Sequence, residues 1–357
     1  MTSRPVVVYA GRGSSHSWTW LADLLETHGA FDARFVGEDS ICEVVAEGAS
    51  LVIVSGGDGF EIASALAPRG FAAVEEYVRA GGSYFGVCAG AYLPLPSRLE
   101  PFDKFNLSST RIRNLTAQGD DVVDESPRTG VRYGSCRIVH PVRGEVELGD
   151  GHRRFTAPVY GGPVFQEPEE DTALLRYSSF TTRTLFQMDE DSAKGMVLGA
   201  PAVVSTRVGD GMMILAGPHL EHPRYPEANQ EFLKISGVPV GKGHGIPMTR
   251  SDRHDSVVRR SLSDLKVAVL GMERESFLVG AKVWDAGRML ELASAVEKRS
   301  GSLDADTAQA VSSLLDEARE DLLSAGPRRA AYTDSAPSRL VEAARSCVDC
   351  HFRAMKG

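Results

Sequence analysis

Short apolar runs rich in β-branched residues alternate with amphipathic stretches over the first part of the chain. The runs "PVVVYA", "SLVIVSGG" and "SYFGVC" have the length of buried strands, and "SWTWLADLLETHG" and "AAVEEYVRAGG" have apolar residues at helical spacing. This alternation predicts a parallel sheet with helices on its faces. Between Arg111 and Gly211 turns multiply and helical stretches fade, which predicts further strands, some of them antiparallel. We therefore expect an α/β sandwich.

Apolar residues change to a helical period after Asp255 and form four stripes. The stripes are Val258, Leu262, Leu265 and Val269; Val283, Ala286, Leu290, Ala293 and Val296; Ala308, Val311, Leu315, Ala318 and Leu322; and Leu340, Ala344, Cys347 and His351. Four amphipathic helices predict an antiparallel bundle, with Ser302 capping its third helix. A stretch rich in Gly and Pro precedes them. We therefore predict an α/β domain over 1–237, a linker over 238–254 and an all-α four-helix bundle over 255–357.

Charge and composition exclude several classes of partner. The chain carries 39 Lys and Arg against 48 Asp and Glu, so a nucleic acid would be repelled on average. No apolar run approaches the roughly 18 residues that span a bilayer, so no transmembrane segment is expected. The sequence contains no NAD or ATP motif. The expected partner is a small-molecule substrate or a redox protein, and the helical bundle offers a surface for oligomerisation.

A cysteine directly follows the strand "SYFGVC" and precedes small residues that can begin a helix. Gly86 and Gly90 lie two residues on either side of Cys88. In a sharp strand-to-helix turn the backbone comes too close for a Cβ at such positions, which explains the GxCxG pattern. A helix N-terminus favours thiolate, so Cys88 is a candidate nucleophile. The N–H groups of Ala89 and of Gly57, in "SGGDG", are candidates for an oxyanion hole.

A proton carrier for this cysteine occurs late in the chain. The segment "MMILAGPHLEHP" is a strand that leads into His219 and Glu221, two residues apart. Cys88, His219 and Glu221 are therefore a candidate catalytic triad. His222 is out of phase with them and is predicted to lie on the surface. Two other interpretations stay open: Cys88 as a small buried apolar residue, or a binding domain that keeps the geometry without turnover.

Several ordered motifs resemble one known family. The motifs are "VVVYAGRGSS", "IVSGGDG", "GSYFGVCAGAY", "VYGGPVF" and "AKGMVLGAPAVVSTRVGDGMMILAGPHLEHP". Between residues 4 and 236 they look like the class I glutamine amidotransferase-like domain at the N-terminus of large biotin-protein ligases. The resemblance implies a flavodoxin-like, amidotransferase-type sandwich with its triad at Cys88, His219 and Glu221, and it names no substrate. Nothing after Gly237 resembles the biotinyl-adenylate loop, so a biotin ligase is not expected.

The chain closes with the pentapeptide "CVDCH", which has the CxxCH spacing of c-type haem attachment. On a helix, Cys347, Cys350 and His351 share one face, so two thioethers and an iron ligand could form there. A zinc site would need further Cys or His nearby. A helical bundle with CxxCH on its last helix resembles the cytochrome c-prime family. That resemblance implies covalent haem c on Cys347 and Cys350, with His351 as the proximal ligand of the haem iron.

The two halves of the sequence give conflicting expectations for the compartment. Haem c is attached outside the cytoplasm, yet Met1 to Ala10 lack the pattern of a signal peptide. We expect a periplasmic protein if haem is attached, and a cytoplasmic one by default. The leading hypothesis is a haem c protein for electron transfer or gas sensing, fused to an amidotransferase-like domain. The alternative is a cysteine-dependent amide hydrolase or glutamine amidotransferase with a haem-free helical module.

Overall fold

The computed structural model describes residues 4–117, 129–239, 252–273, 276–324 and 335–356. Up to residue 239 the described chain is a mixed α/β structure. Its strands are β1 (Val6–Tyr9), β2 (Ala33–Val36), β3 (Leu51–Val54), β4 (Ser83–Val87), β5 (Leu115–Ala117), β6 (Gly130–Tyr133), β7 (Cys136–Val139), β8 (Val142–Gly149), β9 (Arg154–Val159), β10 (Thr172–Phe186), β11 (Pro201–Val208) and β12 (Gly211–Ala216). Its helices are α1 (Trp18–Thr27), α2 (Ile41–Ala46), α3 (Gly59–Leu66), α4 (Arg69–Arg79), α5 (Ala89–Tyr92), α6 (Glu190–Val197) and α7 (Pro226–Ser236).

A large mixed sheet forms the centre of this part, in the order β2-β1-β3-β4-β12-β11-β10-β8-β9. The strands from β2 to β12 pair in parallel, and the remaining neighbours pair antiparallel. Both faces are buried: Val6 and Val8 of β1 face one core, while Val7 and Tyr9 face the other. Strands of this kind read as continuous apolar runs, as "PVVVYA" does. The predicted mixed α/β class is confirmed.

The position of β12 beside β4 has a direct consequence for the site. These two strands pair in parallel, with Ala216 opposite Val87, and Cys88 N–H donates to Ala216 O at 2.8 Å. The carboxyl ends of parallel neighbours meet at the same edge of a sheet. Segments that are far apart in sequence and follow these two strands are therefore brought together.

After residue 251 the described chain is mainly helical. It contains α8 (Asp252–Leu270), α9 (Ala286–Arg299), α10 (Ala305–Ser324) and α11 (Ser335–Lys356), with a hairpin of β13 (Ser276–Val279) and β14 (Lys282–Asp285) before α9. Helix α10 packs against α8 and α11, and α11 packs against α9. The predicted helical character is confirmed, and a separate four-helix bundle stays a prediction. None of the described helices combines the length and apolar character needed to cross a bilayer.

The entry into this helical part differs from the sequence prediction. Residues 240–251 of the predicted linker lie outside the described residues, and α8 already begins at Asp252. Val283, predicted to lie on the second helix, belongs to β14. Helix α9 begins at Ala286, because the Asp285 side chain accepts a hydrogen bond from Arg288 N–H and so caps it. The hairpin itself was not predicted.

The start of α10 also differs from the prediction. Ser302 does not cap this helix, because its hydroxyl donates to Arg299 O at 2.7 Å. Asp304 is the residue whose carboxylate accepts from Thr307 N–H, at 2.8 Å. The cap is therefore two residues later than predicted, and it is a carboxylate near the positive end of the helix dipole.

Helix α11 covers the edge strand β2. Asp349 Oδ1 accepts from Phe35 N–H at 2.9 Å and from Arg34 Nε at 3.2 Å. The Phe352 ring lies 5.0 Å from Phe35 and 5.8 Å from Phe31, between ring centroids. An uncovered edge strand presents unpaired backbone groups, and a packed helix satisfies or shields them. The last helix is thus part of the packing of the sheet.

Candidate active site

Cys88 occupies a tight turn between β4 and α5. Its φ is 53°, and among the described residues it is the non-glycine residue with a positive φ. A Cβ on Gly86 would lie 2.4 Å from Gly90 O, and a Cβ on Gly90 would lie 2.0 Å from Val54 O. Both flanking positions therefore require glycine. The strand-to-helix turn inferred from GxCxG is present, and a strained non-glycine residue in it is typical of a functional site.

His219 and Glu221 follow β12 and lie beside this turn. The His219 ring hydrogen-bonds the Cys88 thiol. Its Nδ1 lies 2.7 Å from Glu221 Oε1, which leaves Nε2 for the sulfur. His219 is 3% exposed and Glu221 is 0% exposed, so water does not compete for this hydrogen bond. The structure thus brings the three predicted residues together in the order thiol, imidazole, carboxylate.

The charges of Cys88, His219 and Glu221 shift the pKa values of the thiol and the imidazole. Burial alone would lower the pKa of His219, but the charges of Glu221 and Cys88 outweigh it and raise the pKa to about 10. Burial alone would raise the pKa of the Cys88 thiol, but the charge and hydrogen bond of His219 lower it, with a further contribution from Lys282. Opposite charges at close range favour the charged form of each partner. The pair is therefore poised as thiolate and imidazolium.

The two predicted oxyanion donors lie at the same place. Gly57 and Ala89 both line the cavity beside Cys88. In the turn, Cys88 N–H donates to Ala216 O and Gly90 N–H donates to Ser55 O at 3.3 Å, whereas Ala89 N–H is the first of its helix and has no intrahelical acceptor. A Cβ on Gly57 would lie 2.2 Å from Gly13 O. Both N–H groups can therefore serve a ligand atom near the sulfur.

The triad opens into a cavity of about 1140 Å³. One wall is aromatic: the Trp20 ring lies 5.4 Å from His219 and 4.3 Å from His222, and Tyr160 lies 5.5 Å from His219. Trp20 meets the His219 imidazole edge-to-face and Tyr160 packs against it at a tilt, so both rings help to hold it in place. His222, predicted to lie on the surface, thus lines the cavity, because the chain bends after β12 and the strand phase no longer applies.

The C-terminal hairpin also reaches this cavity. Ala281, Lys282 and Val283 line it, together with Arg288 from the first turn of α9. Sequence reasoning missed these residues, since the segment was assigned to the start of a helical bundle. The stretch "SFLVGAKVWD" does carry a hairpin signal, namely two apolar runs around a glycine.

The CVDCH residues lie elsewhere, at the contact between α11, α9 and the first part of the chain. Cys347 and His351 are 0% and 4% exposed, and the Cys347 Sγ lies 3.7 Å from Val296 O. Cys350 Sγ lies 3.7 Å from Asp304 Oδ2. Burial raises the pKa of the Cys347 thiol to about 12. The predicted shared face of the three residues is present, and it is turned into packed protein.

This arrangement does not fit a haem c site. His351 Nδ1 lies 2.9 Å from Ser302 Oγ and Nε2 lies 3.1 Å from Glu26 Oε1, so both ring nitrogens have protein partners. An iron ligand needs one of them free. Haem attachment at Cys347 and Cys350 stays an untested prediction of the sequence, and the contacts of His351 argue against it.

The comparisons with known proteins concern mainly the first part of the chain. Residues 4–106 match the family model described as "Biotin-protein ligase, N terminal", a range that contains Cys88 but ends before His219. An uncharacterized protein of Chlamydia muridarum (strain MoPn / Nigg) is 24% identical over 289 residues, which is 76% of this chain and 100% of that protein.

Two solved structures titled as glutamine amidotransferases are also similar. One is 21% identical and has a TM-score of 0.42, with 65% of this chain and 99% of that chain covered. The other, from Thermotoga maritima, is 12% identical and has a TM-score of 0.35, with 67% and 87% covered. The family-model match over residues 4–106 supports the resemblance of the N-terminal residues to the biotin-protein ligase N-terminal family, and the resemblance to cytochrome c-prime stays a prediction.

Proposed function

We propose that this chain is a cysteine-dependent amide hydrolase of the glutamine amidotransferase type. The observation that carries the proposal is the hydrogen-bonded series Cys88, His219 and Glu221, which lies at the base of a large cavity. A buried cysteine with a purely structural role needs neither a positive φ nor an imidazole partner. The arrangement is that of a nucleophile, its base and the group that orients the base.

The chemistry follows from the positions of these groups. The Cys88 thiolate attacks the amide carbon, and the oxyanion that forms accepts hydrogen bonds from the N–H groups of Gly57 and Ala89. His219 gives its proton to the amide nitrogen, the C–N bond breaks, and ammonia or an amine leaves a thioester. Water then gives a proton to His219 and attacks the thioester carbon, which releases a carboxylic acid and restores the thiolate. Glu221 accepts from His219 Nδ1–H throughout.

Labelling with an electrophilic glutamine analogue tests the proposal. We expect Cys88 to be alkylated at least about tenfold faster than Cys42, because thiolate is the reactive form and only Cys88 has an imidazolium partner. Peptide mass spectrometry after proteolysis measures the two sites separately. Cys88→Ala should abolish the fast label, and Cys42→Ala is the matched control that should keep it. If Cys88 reacts no faster than Cys42, the proposed nucleophile is wrong.

A further inference from the structure

The hairpin of β13 and β14 docks beside the proposed oxyanion loop. Ala281 N–H, in the hairpin turn, donates a hydrogen bond to Asp58 Oδ2. A Cβ on Gly280 would lie 2.4 Å from the same oxygen, and Gly280 has a φ of 57°, so glycine is required for this approach. Asp58 directly follows Gly57. The hairpin is therefore fixed next to the Cys88 turn by backbone contacts.

The Asp58 carboxylate accepts backbone hydrogen bonds from α3 and from the hairpin turn. Its Oδ1 accepts from Phe60 N–H at 2.9 Å and Glu61 N–H at 3.3 Å, which caps α3, while Oδ2 accepts from Ala281 N–H. Burial raises the pKa of Asp58, and these three backbone hydrogen bonds oppose the rise. The carboxylate is thus used for docking and makes no hydrogen bond to the side chain of the next hairpin residue, Lys282.

The Lys282 side chain lines the cavity and is partly buried. Within the described residues its ammonium group makes no hydrogen bond or ion pair, although the charges of Cys88 and Asp58 attract it. Burial, and then the charge of Arg288, lowers the pKa of Lys282 to about 8, against the charges of Cys88 and Asp58. An ammonium group that has lost water without gaining an acceptor is costly to the fold. Such a group is well suited to an anionic ligand.

The charge of the cavity wall points to the same kind of ligand. The chain as a whole has a net charge of -9, yet the cavity wall is rich in cationic side chains. Those in the described residues are Arg98, Arg111, Arg143, Arg224, Lys282 and Arg288, against the acidic Asp58, Asp285 and Glu291. Of the acidic groups, Asp58 is hydrogen-bonded to backbone, Asp285 pairs with Arg288, and Glu291 is exposed. The surplus positive charge faces the cavity.

Burial and the positive charges of the cavity wall lower the pKa values of two histidines that line it. Burial, followed by the charges of Lys282 and Arg288, lowers the pKa of His16. Burial, followed by the charges of Arg143 and Lys282, lowers the pKa of His140 to about 3. Both rings are therefore neutral at physiological pH, and the fixed cations supply the positive potential.

We propose that Lys282, held by the hairpin, binds a carboxylate or another anionic group of the substrate beside Cys88. The inference rests on the proposed function and names its substrate class: an amide that carries a negative charge close to the bond that is cleaved. The hairpin is then part of the active site, and the helical region that carries it sets substrate specificity. No step of the reaction changes, because Lys282 acts by binding.

Two alkylating reagents of nearly equal size test this proposal on the full chain. Iodoacetamide is neutral, and iodoacetate carries the carboxylate that Lys282 should attract. We expect the ratio of the iodoacetate rate to the iodoacetamide rate at Cys88 to exceed that at Cys42 by about tenfold, as expected for a cation on the same cavity wall that acts on the thiolate. Mass spectrometry of the peptides gives both rates. The wild-type protein alone can overturn the proposal, if the two cysteines give equal ratios.

Variants of Lys282 then test whether this residue causes the higher rate ratio at Cys88. Lys282→Gln should lower the ratio at Cys88 about tenfold, whereas Lys282→Arg should keep it within about twofold. Lys194→Gln, at an exposed lysine of α6 that pairs with Glu190, is the matched control and should leave the ratio unchanged. A change in the pKa of the thiol alters both rates equally, so the ratio reports only on the anion.

The outcomes separate this inference from the proposed function. If Cys88 reacts rapidly with iodoacetamide but Lys282→Gln leaves the ratio unchanged, the nucleophile stands and the anion site is wrong. If Cys88 reacts with neither reagent faster than Cys42, the proposed function itself is wrong. A lowered ratio in Lys282→Gln together with rapid iodoacetamide labelling supports both.

Discussion

His351 Nε2 lies 3.1 Å from Glu26 Oε1, so the last helix of the chain contacts the first. This contact uses the ring nitrogen that a haem iron would need, and Ser302 occupies the other one. The motif CVDCH therefore acts in this fold as a packing element between α11, α9 and α1. Its three side chains are polar or polarisable, and each of them has a protein partner.

We expect no covalent haem on the folded protein, since attachment would require Cys347 and Cys350 to leave Val296 and Asp304. It would also require His351 to leave Glu26. The chain should be produced together with a haem c maturation system and exported by an added leader. The intact mass should equal that of the polypeptide alone, and the pyridine haemochrome spectrum should show no haem absorption bands. A c-type cytochrome made in the same cells is the positive control. A haem adduct on Cys347 and Cys350 would contradict this prediction and establish the cytochrome hypothesis.

The buried guanidinium of Arg299 should contribute strongly to stability. Its side chain is 0% exposed and lies 2.7 Å from Asp23 Oδ1 and 2.6 Å from Glu26 Oε2. Arg299→Met should lower the free energy of unfolding by about 2 to 3 kcal/mol, because two carboxylates lose a desolvated partner. Urea denaturation measures the difference.

The matched control for Arg299 is its neighbour on α9. Lys298 pairs with the same Asp23, at 2.7 Å, but its side chain is 53% exposed. Exposed ion pairs contribute little, so Lys298→Met should change the free energy of unfolding by no more than about 0.5 kcal/mol. If both variants lost the same free energy of unfolding, the buried ion pairs of Arg299 would not be more stabilising than the exposed ion pair of Lys298.

The sequence predicted those parts of the site that depend on local rules. GxCxG carries a steric requirement within five residues, and the strand before His219 places the imidazole at a strand end. Cys88, His219 and Glu221 were grouped as a candidate triad from their residue types and from the resemblance. The pairing of β4 with β12, which brings the two strand ends together, was not predicted.

The remaining parts depend on contacts that a one-dimensional pattern does not contain. Lys282 reaches the cavity only because Ala281 docks on Asp58, which is far away in sequence. Cys347 and His351 do share one face of α11, but helical spacing does not distinguish a face that binds a cofactor from one that packs on neighbouring helices. For Lys282 and for the CVDCH residues alike, the role of the side chain depends on the part of the protein that it contacts, and the sequence pattern does not contain that contact.

Gly90→Ala should disrupt the turn that holds Cys88. The added Cβ would lie 2.0 Å from Val54 O, a backbone atom at the end of β3, which is held by the strands on both sides and cannot move aside. We expect a loss of about 3 kcal/mol in the free energy of unfolding, with slower alkylation of Cys88 in the protein that still folds. Thermal and urea denaturation measure the first effect, and iodoacetamide labelling measures the second.

A second glycine in a helix provides the control for this substitution. Gly195 lies in α6, and nothing would lie within 4 Å of its added Cβ. Gly195→Ala should therefore raise the free energy of unfolding by about 0.5 to 1 kcal/mol, because alanine restricts the unfolded chain and favours the helix. If Gly90→Ala and Gly195→Ala changed the free energy of unfolding equally, the predicted clash between the Gly90 Cβ and Val54 O would be wrong.

The pH dependence of Cys88 alkylation tests the ion pair with His219 directly. Burial acts to raise the pKa of Cys88, while His219 acts to lower it, and the net shift is downward. A lowered thiol pKa means that thiolate persists as pH falls, so the iodoacetamide rate should stay high below about 8.5, the pKa of free cysteine. In His219→Gln the largest influence that lowers the pKa is lost and burial is opposed only by Lys282, so the midpoint should rise and the rate at pH 7 should fall at least about tenfold. Cys42, measured in the same samples, should react identically in both proteins. Superimposable pH profiles for Cys88 in wild type and His219→Gln would show that the imidazole does not activate the thiol.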